Sequence, residues 1–173
     1  MTDDIMINKV SESGLVTIDL EKFFPSEEII SFDIKDFLFM GLILKEKDFR
    51  QSLKELNKEK FQGKIVAVHC SADAIIPMWA YMLIATTLGA VAKQVILGSV
   101  DEAEKKILLR NIALINSADY ADKRVVVKGC GERPVPEEAY LEITNQLLPV
   151  AKSIMFGEPC STVPVYKKLS EHK

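Results

Sequence analysis

Three cysteines carry the reactive thiols of this 173-residue chain: Cys70, Cys130 and Cys160. Thiolates are preferred ligands of iron–sulfur clusters and common ligands of zinc. Three of them leave one coordination position for water, substrate or a fourth side chain. His69, beside Cys70, is the candidate fourth ligand, and Asp73, Glu132 or Glu158 could take that place from the loops. A second chemistry is nucleophilic: Cys70 and Cys130 each precede an expected helix N-terminus, whose dipole lowers a thiol pKa. His69 and Lys128 are the nearest bases, but neighbours along a strand point to opposite faces, so neither is ideally placed. A free cysteine also packs well as a small hydrophobe, which leaves a non-catalytic binding or scaffold module as a third reading. Gly129 and Gly131 flank Cys130 in a loop that could cradle an anion, and with Asp73 and Glu132 they are the candidate cofactor-contacting residues. No GxGxxG or Walker pattern accompanies them.

The cysteines gain weight from an internal repeat. At a constant offset of 59 residues, Pro77, Ala80, Tyr81, Ile84, Leu88, Val91, Ala92, Lys93 and Gly98 meet Pro136, Ala139, Tyr140, Ile143, Leu147, Val150, Ala151, Lys152 and Gly157. Cys70 and Cys130 match after one inserted residue. Residues at matching places in a repeat share a structural address. Each copy (64–99 and 123–158) reads as a β-branched strand, a cysteine, a helix opened by a proline, and a second strand closed by glycine. Ser99 and Glu102 form a capping box for a helix over 101–115 between the copies.

The expected fold is therefore α/β: a mainly parallel sheet flanked by helices, with a β-α-β pseudo-repeat and an N-terminal strand/helix extension over 1–60. The whole chain reads as a single domain with a frayed tail over 167–173. Four parallel strands in one sheet would hang Cys70, Cys130 and Cys160 over the same carboxyl edge, where ligands bind in open α/β sheets. In the extension, Leu15 to Leu20 and Ile29 to Ile34 alternate as strands around a turn at Pro25-Ser26, and Lys47 to Leu56 forms an amphipathic helix. Phe37 to Leu44 is an apolar run whose periodicity does not distinguish strand from helix.

The net charge is −3 and no stripe of lysine and arginine forms, so no nucleic-acid partner is expected. The start of the chain lacks the basic and apolar regions of a signal peptide, and three cysteines without a leader read as reduced cytoplasmic thiols. Ala74 to Ala92 is uncharged and approaches the length of a membrane span, but its counterpart carries Glu137, Glu138 and Glu142, so no membrane span is expected. The 77–88 helix is apolar on most sides, which suits either burial in the core or a homodimer face.

The stretches SFDIKDFLFMGLILKEKDFR, HCSADAIIPMWAYML, VVVKGCG with PVPEEAY, and PVAKSIMFGEPCSTVPVYK resemble an uncharacterised bacterial family, the domain of unknown function numbered 2480. The likeness covers most of the chain and implies a compact bacterial cytosolic protein with no assigned activity or catalytic residues. It also implies a link to iron–sulfur assembly functions. The family's cysteine-bearing motifs fall on Cys70, Cys130 and Cys160. Zinc or an iron–sulfur cluster is the expected cofactor.

Overall fold

Between residues 65 and 158 strands and helices alternate, as the hydrophobic pattern requires. The structure, a computed structural model, describes residues 15–129 and 131–169. Its strands are β1 (Leu15–Asp19), β2 (Ile29–Asp33), β3 (Ile65–His69), β4 (Gln94–Leu97), β5 (Arg124–Lys128), β6 (Ser153–Glu158) and β7 (Ser161–Lys167). Its helices are α1 (Glu46–Glu55), α2 (Met78–Leu88), α3 (Val100–Ala113) and α4 (Glu137–Leu147). The α/β class, the pseudo-repeat and the N-terminal strand/helix elements are thus observed. The capping box is also present: the Ser99 amide donates to Glu102 Oε2 at 2.7 Å, and the Glu102 amide donates to Ser99 Oγ at 3.2 Å.

The two copies do not share one sheet, which corrects the expectation of four neighbouring parallel strands. β2, β3 and β4 form a three-stranded parallel sheet, while β1, β5, β6 and β7 form a four-stranded one, parallel except for β7. The reason lies in the first third of the chain. LVTIDLEKFF and IISFDIKDFL are themselves a repeat, matching Asp19 to Asp33 and Leu20 to Ile34. Each lends one strand and one turn of 3-10 helix (Leu20–Phe23 or Ile34–Phe37) to a different β-α-β copy. The chain accordingly divides into two compact units, Pro25–Lys106 and Met1–Phe24 with Ile107–Lys173.

Each unit has its own core, and the cores correspond. Phe49, Leu53, Ala80, Ile84 and Leu88 are buried against the three-stranded sheet. Leu108, Ile112, Ala139, Ile143 and Leu147, each 59 residues on, are buried against the four-stranded sheet. The repeat therefore includes α1 and α3 as well. Even the turn entering β3 and β5 is duplicated: Gly63 and Asp122 adopt φ of 68° and 55°, and their amides donate to the Val91 and Val150 carbonyls at 2.9 Å. Aspartate is among the few residues other than glycine that tolerate this conformation.

The apolar α2 is explained by more than one neighbour. Ala80, Ile84 and Leu88 face the core, and Trp79 packs beside Phe49 of α1 with ring centroids 6.1 Å apart. Met78 and Met82 remain 72% and 70% exposed. Among the described residues no helix is long and apolar enough to cross a membrane. Residues 37–44, left open by periodicity, contain a bridge between Phe39 and Ile43 around a tight turn, with positive φ at Met40 and Gly41. The sequence pattern does not reveal β7, because Pro164 interrupts it. Proline is tolerated there because β7 is an edge strand with a register shift beside it. Of the tail expected to fray, residues 170–173 lie outside the described residues.

Candidate functional site at the carboxyl ends of the strands

In the unit Pro25–Lys106, the carboxyl ends of β2 and β3 bring Ser31, Asp33, His69 and Cys70 together. Asp33 stands opposite His69 in the parallel register. Its Oδ1 accepts from the Lys35 amide at 3.0 Å, capping the 3-10 turn, and from the Ser71 amide at 3.0 Å. Burial pushes the Asp33 carboxyl up, but hydrogen bonds from Ser71 and Lys35 and the nearby His69 outweigh it and leave the pKa below the ordinary aspartate value. His69 Nε2 is hydrogen-bonded to Ser31 Oγ at 2.8 Å, one strand over. Cys70 is half-buried, packs on the core, and donates its thiol proton to the Ala72 carbonyl at 3.5 Å. Asp73 is exposed in the loop that follows.

The other unit repeats this address with different chemistry. Lys128 stands where His69 stands, opposite Asp19. Its Nζ lies 3.5 Å from Glu158 Oε1 and 3.6 Å from Asp19 Oδ2. Those two carboxylates, Glu158 more than Asp19, hold the lysine above its ordinary pKa. Glu158 is therefore engaged in an ion pair. Gly131 and Glu132 donate consecutive amides to the Glu21 carboxylate, the second at 3.2 Å, so the expected anion cradle holds the protein's own side chain. Gly129 is buried for a packing reason: a Cβ there would lie 2.6 Å from the Tyr140 hydroxyl and 2.9 Å from Val135 Cγ2.

The expected gathering of three sulfurs at one sheet edge is also corrected. Cys70 follows the three-stranded sheet, whereas Cys160 lies exposed in the turn between β6 and β7 of the four-stranded sheet. Cys130 follows β5 in sequence and lies outside the described residues. Among the described residues, no three His, Cys, Asp or Glu side chains form a group able to hold a metal ion.

One feature survives the change of chemistry between the copies. The first amide after the cysteine is Ser71 in one copy and Gly131 in the other. Each donates to a carboxylate from the strand-to-3-10 turn of the neighbouring strand, Asp33 or Glu21. Sequence reasoning missed Asp19, Glu21, Ser31 and Asp33. The detectable signal was the offset-14 repeat of the N-terminal strands, which carries Asp19 onto Asp33.

No curated protein and no solved structure matches the chain. A family model does: the family described as protein of unknown function (DUF2480) matches residues 4–168. That span takes in both N-terminal strands, both β-α-β copies and all three cysteines, and the chain belongs to this family.

Proposed function

We propose that this protein binds a metal ion or an iron–sulfur cluster through cysteine, with Cys70 and Cys130, equivalent in the repeat, as the ligands that each unit offers, joined by His69 in the unit of Cys70 and by Cys160 in the unit of Cys130. The observation that carries the reading is the duplicated clamp on the residue after each cysteine. A carboxylate committed to that amide in both copies holds the residue that follows each cysteine, which supports a ligand-positioning role. The Cys70 proton rests against a carbonyl, and a thiol of this kind gives up its proton when metal arrives. The test is anaerobic purification followed by elemental analysis and an absorption spectrum. Metal or iron with sulfide, reduced in Cys70→Ser and in Cys130→Ser, is expected. A chain that carries none and takes up neither zinc nor reconstituted cluster would overturn the proposal.

A thiol-dependent enzyme using Cys70 is less well supported, because the His69 ring engages Ser31 at 2.8 Å. A dimeric scaffold module draws on a separate observation: Ile75, Met78 and Met82, on and just before α2, are 93%, 72% and 70% exposed. On that reading the wild type sediments as a dimer and a Met78→Glu/Met82→Glu variant as a monomer. A wild type that stays monomeric at high concentration would remove it.

A further inference from the structure

The four-stranded sheet holds a concavity at the opposite, amino-terminal end of β5 and β6. Arg124, Ser153 and Lys167 are register partners across β5, β6 and β7, so they form one row on one face of the sheet. With Lys152, Met155, Pro164 and Tyr166 they line a concavity of about 370 Å³. That volume falls within the range of small-molecule sites. Among the described residues, no carboxylate stands within ion-pair distance of Arg124, Lys152 or Lys167. Lys123 and Lys168 are tied to the same place by the backbone. The Lys152 amide donates to the Lys123 carbonyl, and the Lys168 amide to the Lys152 carbonyl, both at 2.9 Å. Lys168 has an acid beside it, Asp122 Oδ1 at 3.7 Å from its Nζ. In a chain of net charge −3, this concentration of cations is local.

The repeat supplies an internal control. Lys64 and Lys93 hold the places of Lys123 and Lys152 in the other unit, and there each cation is neutralised. Lys64 Nζ lies 2.8 Å from Glu28 Oε2, and Lys93 pairs with Glu27. The residues aligned with Glu27 and Glu28 are Ser13 and Gly14, which carry no charge. Ile65 stands where Arg124 stands, and β7, which supplies Lys167, Pro164 and Tyr166, has no counterpart in the three-stranded sheet. One copy therefore balances its cations internally. The other omits those two acids, adds an arginine, and builds a wall.

We infer that this concavity binds a small molecule bearing a phosphate group attached to an apolar or aromatic body. Two lysines and an arginine call for an anion of at least two charges, and arginine matches phosphate oxygens in bidentate fashion. Met155 and Pro164 give the uncharged part of such a ligand an apolar wall, and Ser153 adds a hydroxyl.

The experiment is calorimetric titration of the full chain at low salt with inorganic phosphate and with phenyl phosphate. Saturable binding of both is expected, tighter for phenyl phosphate. Arg124→Gln/Lys167→Gln should weaken binding by about tenfold or more, as loss of charge-assisted contacts does. Lys64→Gln/Lys93→Gln, at the neutralised equivalent positions, should leave it unchanged. Circular dichroism verifies that the exposed substitutions leave the fold intact, and Lys152→Gln serves in place of the double variant if it unfolds. Absence of saturable binding would overturn the inference. So would equal binding by wild type and Arg124→Gln/Lys167→Gln, equal losses in the two double variants, or binding of an oligonucleotide but of neither small probe.

Discussion

Asp33 does two jobs with one oxygen, capping the 3-10 turn through the Lys35 amide and holding the loop after Cys70 through the Ser71 amide. Asp33→Ala should cost about 1 kcal/mol, the usual effect of losing a carboxylate cap, in urea unfolding at pH 7. The pH dependence follows from its lowered pKa. A carboxylate more acidic in the folded state stabilises above its unfolded pKa of about 3.9, and that stabilisation disappears as the pH falls through the folded value. The gap between wild type and Asp33→Ala should therefore narrow on acidification below about pH 4, and a gap that stayed constant would contradict the ionic role. In the other copy the sensitive position is Gly129. A methyl there would press on the Tyr140 hydroxyl and on Val135, so Gly129→Ala should lower stability by about 1–3 kcal/mol, as overpacking does. Calorimetric unfolding should show it as a reduced Tm.

At the scale of elements, the repeat makes matched substitutions informative. Ile84 of α2 and Ile143 of α4 are both fully buried at equivalent positions, each in its own core. Ile84→Ala and Ile143→Ala should each cost about 2–5 kcal/mol in denaturant unfolding, whereas Met82→Ala on the exposed face should stay within about 0.5 kcal/mol. These core helices were legible in the sequence because their apolar positions recur at helical spacing, and the capping box marked the start of α3. The partition into two sheets was not legible from the 59-residue repeat alone. Strands β3 to β6 have nearly continuous apolar faces that would pair equally well in one sheet. What decides their partners is the pair of short strands at Leu15–Asp19 and Ile29–Asp33. The cysteine addresses were legible as far as the ends of β3 and β5. Their surroundings were not, because Ser31, Asp33, Asp19 and Glu21 come from strands distant in sequence, and only pairing brings them to His69, Lys128 and the loop amides.

At the scale of the whole molecule, the sequence repeat and the structural units have different boundaries. The second copy of the repeat begins after the first ends, yet its sheet is completed by β1, more than a hundred residues earlier. Through this strand and the turn after it, Ile18 and Leu20 enter the core formed by Leu108, Ile112, Val125, Val127, Ala139, Ile143, Leu147 and Ile154. Fully burying two such side chains contributes about 1.5–3 kcal/mol each, and the parallel ladder to β5 adds to it. Against a domain stability of about 5–15 kcal/mol, removing all of this should be enough to unfold the unit. A chain beginning at Pro25 keeps both copies of the β-α-β repeat intact in sequence, so it separates the two kinds of boundary. In that chain, amide hydrogen exchange at Val125, Val126, Val127 and Ile154 should lose its protection. Strand β3 takes its ladders from β2 and β4 instead, so Val66, Ala67 and Val68 should remain slow to exchange. Slow exchange retained at Val125 to Val127 would mean that the β-α-β copy folds without its borrowed strand.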